Sequence, residues 1–425
     1  MSHTIGYLIP EFPGQTHAFF MRERSCLTEL GVATDLISTR PPTNGRAEHE
    51  WAEVAQAQTS YLAPMKLSAL CSATGELFRA GPAGCLRALS AIATAPDLTW
   101  KQRLKLLAFL PAAARLRQLA RAHNWTHIHV HSCANASNVA MLAERLGGIR
   151  YSMTLHGPLK DYGPNQKVKW QHADFGVIIT QDLLAEARQH LAGHLPERIF
   201  LAPMGVEVDR FQRDNDYQPA TRDSVVRLVS CGRINPCKGH DDLIRAVALL
   251  KDRGVTAELH ICGATDSTRV DYRDSLLELA SELGVSNRVQ LLGSISESAV
   301  RRELQQAHFF CLGSHKEPLG VATMEAMAMK LPCIVTNSPG VAEMITDGED
   351  GVLVPPRTPS AFADAIERLL EDPWATECLA KQARATVCQR FHSGVSAEAI
   401  RDGVAGKLPT LPGSLKQKTV VESAS

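Results

Sequence analysis

Short runs of β-branched and aromatic residues recur along the first half of the chain, separated by longer stretches with helical spacing. They read "IGYLIP" from Ile5, "VATDLIST" from Val32, "HIHV" from His127, "YSMTL" from Tyr151, "FGVIIT" from Phe175 and "RIFLAP" from Arg198. A second series begins with "VVRLVS" at Val225 and continues through "AELHIC" at Ala257, "RVQLL" at Arg288, "HFFCL" at His308, "PCIV" at Pro332 and "GVLV" at Gly351. Strands alternating with helices predict βαβ units and a mainly parallel sheet in each series. Between them lies "QRDNDYQPATRDS", Gln212 to Ser224, which is polar and broken by a proline. The pattern predicts an amino-terminal α/β domain over 1–210, a linker over 211–224 and a carboxy-terminal α/β domain over 225–406, whose last helices pack back on the first domain. The end, "LPTLPGSLKQKTVVESAS", has no apolar periodicity, and 407–425 is expected to be a disordered tail.

Length and composition fit this division. The chain has 425 residues, more than one hydrophobic core usually organises, and its apolar fraction of 44% is ample for folding. Charge balances at 45 basic against 45 acidic residues, so no global field points to nucleic acid. Eleven cysteines, an odd number without a C-x-x-C pair, suit a reducing compartment. No apolar run is long enough to cross a bilayer, and "MSHTIGYLIPEF" lacks the basic and apolar parts of a secretion leader, so a cytoplasmic protein is expected.

Open parallel sheets bind ligands beyond the carboxyl ends of their strands, so chemistry is sought just after the strands. After "VVRLVSCG" comes "RINPCKGHDDLIRAV", with Arg233 and Lys238 in a loop before a helix and Gly232 and Gly239 flanking them. Two cations and a helix amino terminus converging on one point suit a diphosphate; the alternative is a pair of solvated loop cations. In "SHKEPLGVATMEAMAMKLP", a tight loop with Pro318 and Gly320 separates Glu317 from a helix that carries Glu325. On one continuous helix, residues eight apart point about 80° from each other. With Glu317 in the loop and Glu325 one turn into the helix, both can face one ligand, beside the free amides near Gly320 and Val321. Paired carboxylates next to a phosphate clamp suit a sugar nucleotide, because they accept hydrogen bonds from vicinal hydroxyls. Otherwise Glu325 is an acid favoured by the helix dipole and Glu317 an exposed loop acid.

On these segments, with "ICGA" around Gly263, "RVQLLGSI" and "PGVAEMITDGEDGVLVPP", the chain resembles the retaining glycosyltransferases of family 4. The resemblance implies the GT-B fold, two Rossmann-like domains facing each other across a ligand cleft. It implies that Arg233 and Lys238 hold the donor diphosphate, that Glu317 contacts the donor sugar and Glu325 the ribose, and that Ile295 lies near the base. Lys330 departs from a glycine common in the family, at a position past the site.

The first domain fits the same resemblance. "FPGQTH", with Gly14, Gln15, Thr16 and His17, is similar to the first loop of members that build bacterial exopolysaccharides, many of which read Ser-Glu-Thr after "FP". Gly14 allows close backbone approach to a ligand, and Gln15, Thr16 and His17 are expected on the acceptor side, with His131 after "HIHV". His156, in "YSMTLHGPLKDY", matches a histidine that lies beside the donor sugar near the reacting carbon. The alternating histidines of "HIHVH" invite a metal reading, but no carboxylate or cysteine completes a set, and the "DND" at Asp214 to Asp216 falls in the linker. No metal and no cofactor are expected.

From Trp100 to Trp125 the chain reads "WKQRLKLLAFLPAAARLRQLARAHNW", with six Lys or Arg and no acid. Basic residues interleaved with leucines at helical spacing suit an interfacial helix on an anionic leaflet, and a core-packed helix with a solvated basic face is the alternative. The resulting expectation is a retaining transferase moving a sugar from a nucleoside diphosphate sugar to a glycan or lipid-linked acceptor in cell-surface glycan synthesis, on the inner face of the plasma membrane. The rivals are an inverting enzyme of the same fold with His17 as base, and a non-catalytic sugar-nucleotide-binding component of an assembly complex.

Overall fold

The computed structural model describes residues 3–43, 47–65, 67–265 and 270–409. The remaining residues, including 410–425 of the expected tail, lie outside the described residues. Seven strands form the first sheet: β1 (His3–Glu11), β2 (Val32–Arg40), β3 (Ser60–Tyr61), β4 (His127–Val130), β5 (Tyr151–Leu155), β6 (Phe175–Ile178) and β7 (Ile199–Leu201). Their order is β3-β2-β1-β4-β5-β6-β7, and every pairing is parallel. Six more form the second: β8 (Val226–Cys231), β9 (Ala257–Cys262), β10 (Val289–Gly293), β11 (Phe309–Leu312), β12 (Cys333–Thr336) and β13 (Val352–Val354). Their order is β10-β9-β8-β11-β12-β13, again all parallel.

The apolar runs become strands because both faces of a parallel sheet are covered by helices. Accordingly β5, β6, β11 and β12 are buried at every position. Strand β4 is as buried but reads His-Ile-His-Val, so its imidazoles need partners inside. Strand β5 supplies them: Ser152 Oγ lies 2.8 Å from His127 Nε2 and 2.7 Å from His129 Nδ1, and Thr154 Oγ1 lies 2.9 Å from His129 Nε2.

In both sheets the strand order reverses beside the first strand of the series, between β1 and β4 and between β8 and β11. Ligand crevices form at such reversals, at the carboxyl ends of the strands. The loops leaving these four strands carry Gly14 to His17, His131, Arg233 to Lys238, and Glu317 to Gly320. Two doubly wound α/β units of this kind, with their loops meeting across a cleft, make the GT-B fold.

The halves meet at several points. Gln15 Nε2 donates to the Ile295 carbonyl at 2.9 Å, and Ser298 Oγ donates to Glu50 Oε1 at 3.2 Å. Glu343 accepts from the backbone amides of Gln181 and Asp182, each at 2.7 Å, so a carboxylate of the second half sits at the amino terminus of helix Gln181–His190. The last helix, Gly394–Val404, returns to the first sheet, where Arg198 Nη1 donates to the Gly403 carbonyl at 2.7 Å. A side chain at Gly403 would lie 2.5 Å from the Phe175 ring, so that close approach needs glycine.

The basic stretch from Trp100 is two helices, Trp100–Leu107 and Leu110–Ala122, rather than one. Thr99 opens the first with a capping box, and Pro111, which lacks an amide proton, fits only the first turn of a new helix. Nor are its cations all solvated. Buried Glu76 accepts from Arg121 Nη1 at 2.8 Å and lies 3.8 Å from Arg117 Nε, while Arg103 donates to three backbone carbonyls, those of Ile92, Ala93 and Ala95.

Candidate active site

The loop after β8 turns through a short 3-10 segment, Pro236–Lys238, capped by the Asn235 side chain and ended by Gly239 at φ 60°. A Cβ on Gly239 would fall 2.1 Å from the Gly313 carbonyl oxygen, so this turn packs directly on the loop leaving β11. That contact brings Lys238 to Glu317: Lys238 Nζ donates to Glu317 Oε2 at 2.6 Å, and Ser314 Oγ donates to the same oxygen at 3.1 Å. Both side chains keep some exposure, 17% for Lys238 and 11% for Glu317, so the pair lies on the wall of the cleft. Arg233 is exposed, and among the described residues its side chain makes no hydrogen bond or ion pair.

Gly263 stands behind this loop. A Cβ there would fall 1.9 Å from the Gly232 carbonyl oxygen, so Gly263 lets the ends of β8 and β9 close on each other. Gly320, at φ 90°, caps helix Val321–Ala328, and a Cβ there would lie 3.5 Å from Glu317 Cγ. The amides of Val321 and Ala322 at the start of that helix have no intrahelical acceptor.

Glu325 points to the other half of the molecule. Its Oε1 accepts from Arg22 Nη2 at 2.7 Å, and the same nitrogen donates to Glu297 Oε2 at 3.0 Å. Arg22, on helix Ala18–Glu29, is buried, and its guanidinium stacks 4.9 Å from the Phe211 ring centre. Arg210 Nε lies 2.8 Å from Glu297 Oε1 on the far side. Burial pushes the Glu325 carboxyl up, and the Arg22 guanidinium opposes the shift. Burial pulls on Arg22 in turn, but Glu325 and Glu297 outweigh it and raise its pKa.

Across the cleft, His156 follows β5 and packs near Phe19 and Phe20, with ring centres 5.7 and 6.0 Å away. A methyl group at neighbouring Gly157 would come within 4.0 Å of Pro318 Cγ, so the His156 loop faces the Glu317 loop. His131 Nδ1 lies 3.3 Å from His156 Nε2, and its Nε2 lies 3.0 Å from Glu23 Oε1, which also accepts from the Tyr7 hydroxyl at 2.7 Å. Burial, reinforced by His131, pulls His156 down to about 3. His131 is also held well below its ordinary value, by burial first and then by His17. In the first loop, burial pulls His17 down to about 4, with His49 adding to the shift and Glu11 opposing it; its ring stacks 5.9 Å from Phe12. Gly14 makes room for that ring, since a Cβ would lie 2.7 Å from it. Gln15 is drawn into the domain contact with Ile295, while Thr16 stays exposed.

One expectation changes. A carboxylate does join the histidine run, because Glu23, His129 and His131 bring ligand-type atoms within 4.8 Å of one another. Its spacing gave no sign of this, since Glu23 lies on a helix far from "HIHVH" in sequence. The set fits a metal poorly: both His129 nitrogens already face hydroxyls and Glu23 Oε1 faces Tyr7. The "DND" acids, for their part, are matched to cations, Asp214 to Arg301 at 2.5 Å and Asp216 to Lys330 at 3.8 Å. Sequence reading missed Arg22 and Glu297, which no local pattern distinguishes from ordinary helix charges.

Comparison with known proteins agrees with this architecture. Residues 212–386 match the family described as Glycosyl transferases group 1. A D-inositol 3-phosphate glycosyltransferase of Corynebacterium glutamicum (strain R) is 30% identical over 210 residues, which is 47% of this chain and 50% of that protein. One of the same description from Acidothermus cellulolyticus is 33% identical over 226 residues, 51% of this chain and 50% of that protein. The chain thus spans about half the length of the curated relatives it matches. Among solved structures, a glycosyltransferase from Rickettsia africae ESF-5 superposes with a TM-score of 0.70 at 17% identity, covering 95% of this chain and 98% of that one. Anabaena Alr3699/HepE in complex with UDP and glucose superposes with a TM-score of 0.71 at 17% identity, over 95% of this chain and 100% of that one.

Proposed function

We propose that this chain is a retaining glycosyltransferase that moves a sugar from a nucleoside diphosphate sugar to a hydroxyl of a glycan or lipid-linked acceptor. The observation that carries the reading is the Lys238–Glu317 contact at 2.6 Å, at the strand-order reversal of the second sheet and facing the His156 loop. Cation, carboxylate and free helix amides stand together where such folds bind ligands, and UDP is what the structural neighbour from Anabaena holds on the same fold.

In the reaction, the bond from the sugar's anomeric carbon to the diphosphate oxygen breaks while the acceptor oxygen bonds to the same face of that carbon. The acceptor's proton passes to the leaving diphosphate. Arg233 and Lys238 stabilise the charge that grows on the diphosphate, an electrostatic effect at a site built in advance. Glu317 holds the donor sugar, Glu325 the ribose, and His156 lines the sugar's other side.

A lipid-linked acceptor agrees with an apolar surface on the first half. Phe78 and Trp100 are 83% and 66% exposed, and Leu86, Leu89 and Leu104 are exposed with them, beside Lys101 and Lys105. We place the chain on the cytoplasmic face of a membrane through this surface; among the described residues no helix is long and apolar enough to cross one.

The test is thermal unfolding with a panel of nucleotide sugars, followed by assay of the ligand found. A ligand at one hundred times its Kd stabilises the native state by about 2.7 kcal/mol. At least one nucleoside diphosphate sugar is expected to raise Tm and then to release its diphosphate with acceptor; a flat panel rejects the reading.

A further inference from the structure

We infer that Arg22 is a positioning residue for the nucleotide: from the opposite half of the molecule it holds and aims the Glu325 carboxylate, so that nucleotide affinity depends on a contact between the two halves. The inference rests on the proposed function, in which Glu325 receives the ribose.

Three observations carry it. First, Arg22 Nη2 reaches Glu325 Oε1 at 2.7 Å, while Oε2 of the same carboxylate has no hydrogen bond among the described residues and the side chain keeps 15% exposure. One oxygen is fixed by the arginine, and the other is left for a ligand hydroxyl. Second, the arginine is held in place independently of any ligand, by Glu297 at 3.0 Å and by the Phe211 ring. Third, Arg22 Nε and Nη1 are buried without an acceptor, so the guanidinium is not saturated in this arrangement of the halves. A buried arginine with two donor nitrogens unused is costly, and its place beside the cleft gives that cost a purpose.

The groups acting on Glu325 are Arg22 in contact and, through space, Glu297, His49 and the Cys231 thiol, with Arg210 beyond Glu297. Without Arg22 the carboxyl has burial and Glu297 pushing it toward its neutral form, in which it is a poorer acceptor for two hydroxyls. The effect of the arginine on the nucleotide is therefore transmitted through one carboxylate, which makes it separable from a general role in folding.

Calorimetric titration with UDP, GDP and ADP, each on the full chain, tests this with a double-mutant cycle. Arg22→Met is expected to weaken the best-bound diphosphate at least tenfold in the wild-type background and less than twofold in the Glu325→Gln background. Arg22→Lys, which keeps the charge, should recover most of the loss. Raising the pH should restore part of the Arg22→Met affinity and leave the Glu325→Gln variant unchanged. Equal losses in both backgrounds, or none, overturn the positioning role while leaving the transferase reading intact. If none of the diphosphates binds the wild type, the reading of Glu325 as a nucleotide carboxylate falls, and this inference with it. Should Arg22→Met alone fail to fold, Arg22→Gln, which removes the charge and keeps a polar side chain, takes its place in the same cycle, where equal losses or none again overturn the role.

Discussion

Lys238 and Glu317, 79 residues apart in sequence, meet through a hydrogen bond of 2.6 Å because the loops leaving β8 and β11 pack glycine on glycine, Gly239 against Gly313. Each charge neutralises the other before any ligand arrives. A diphosphate sugar would take both, the lysine by its phosphate and the carboxylate by its hydroxyls, so the site is preset and little reorganisation is needed.

Lys238→Ala is therefore expected to weaken donor binding and turnover without unfolding the chain, since the side chain lies at the cleft wall. The loss of one charge-assisted contact should amount to about 1.5–3 kcal/mol, and Arg233→Ala should act in the same direction. Steady-state kinetics with unfolding curves check this; unaltered kinetics in both variants would remove the phosphate clamp.

Much of this site was legible in the sequence, and the reason is geometric. Parallel strands buried on both faces read as apolar runs, and Gly232, Gly313 and Gly320 punctuate the loops that leave them. Strand β3, two residues long, has no pattern to read. The ion pairs were illegible as well: Arg22 and Glu325 are 303 residues apart, and nothing local to either tells a buried charge from a solvated one. Glu76 shows the same limit, since this buried carboxylate ties Arg117 and Arg121 of an apparently free basic stretch into one ion-pair network.

The proposed membrane contact accordingly rests on exposed Phe78 and Trp100 rather than on the paired arginines. Vesicles containing anionic lipid are expected to sediment the protein, less so in high salt because the attraction is screened. Phe78→Asp with Trp100→Asp should abolish sedimentation. Charge reversal at Arg117 and Arg121 should instead lower stability, by setting two new acids beside buried Glu76, which keeps its pairing with Arg79. Sedimentation unaffected by the two aspartates would exclude this face.

Activity is expected to survive exhaustive chelation. Asp214 and Asp216 are engaged by Arg301 and Lys330, and the Glu23, His129 and His131 atoms mostly face hydroxyl partners. Loss of activity with EDTA, restored by manganese or magnesium, would show that a metal takes part after all.

Acid should destabilise the fold before its carboxylates titrate. Burial holds His17 and His240 near 4 and His156 near 3, with His127, His129 and His131 well below 6.5. An unfolded chain takes up these protons at about 6.5 while the native state does not, so the stability they contribute is complete above that pH and is lost as pH falls toward 4. Each such proton makes the slope at most about 1.4 kcal/mol per pH unit. Urea unfolding between pH 7 and 4.5 should show stability falling, less steeply in His240→Gln; a flat profile would contradict the burial of these rings.

The stereochemical outcome decides between retention and a histidine-assisted inversion. His17 sits in the first loop, its ring stacked on Phe12 and its pKa pulled to about 4. At neutral pH it is unprotonated but so weak a base that it would take little of an acceptor's proton in the transition state. Glu317, by contrast, is held by Lys238 and Ser314 at the place assigned to the donor sugar. Glu317→Gln is accordingly expected to depress kcat far more than nucleotide binding, whereas Glu325→Gln should mainly raise KM for the donor. His17→Ala should leave kcat within a few-fold, with any loss confined to acceptor KM. Proton NMR of the first-formed product should show the donor's anomeric configuration. An inverted centre, with activity abolished in His17→Ala and preserved in Glu317→Gln, would replace the front-face mechanism with general-base catalysis on the same fold.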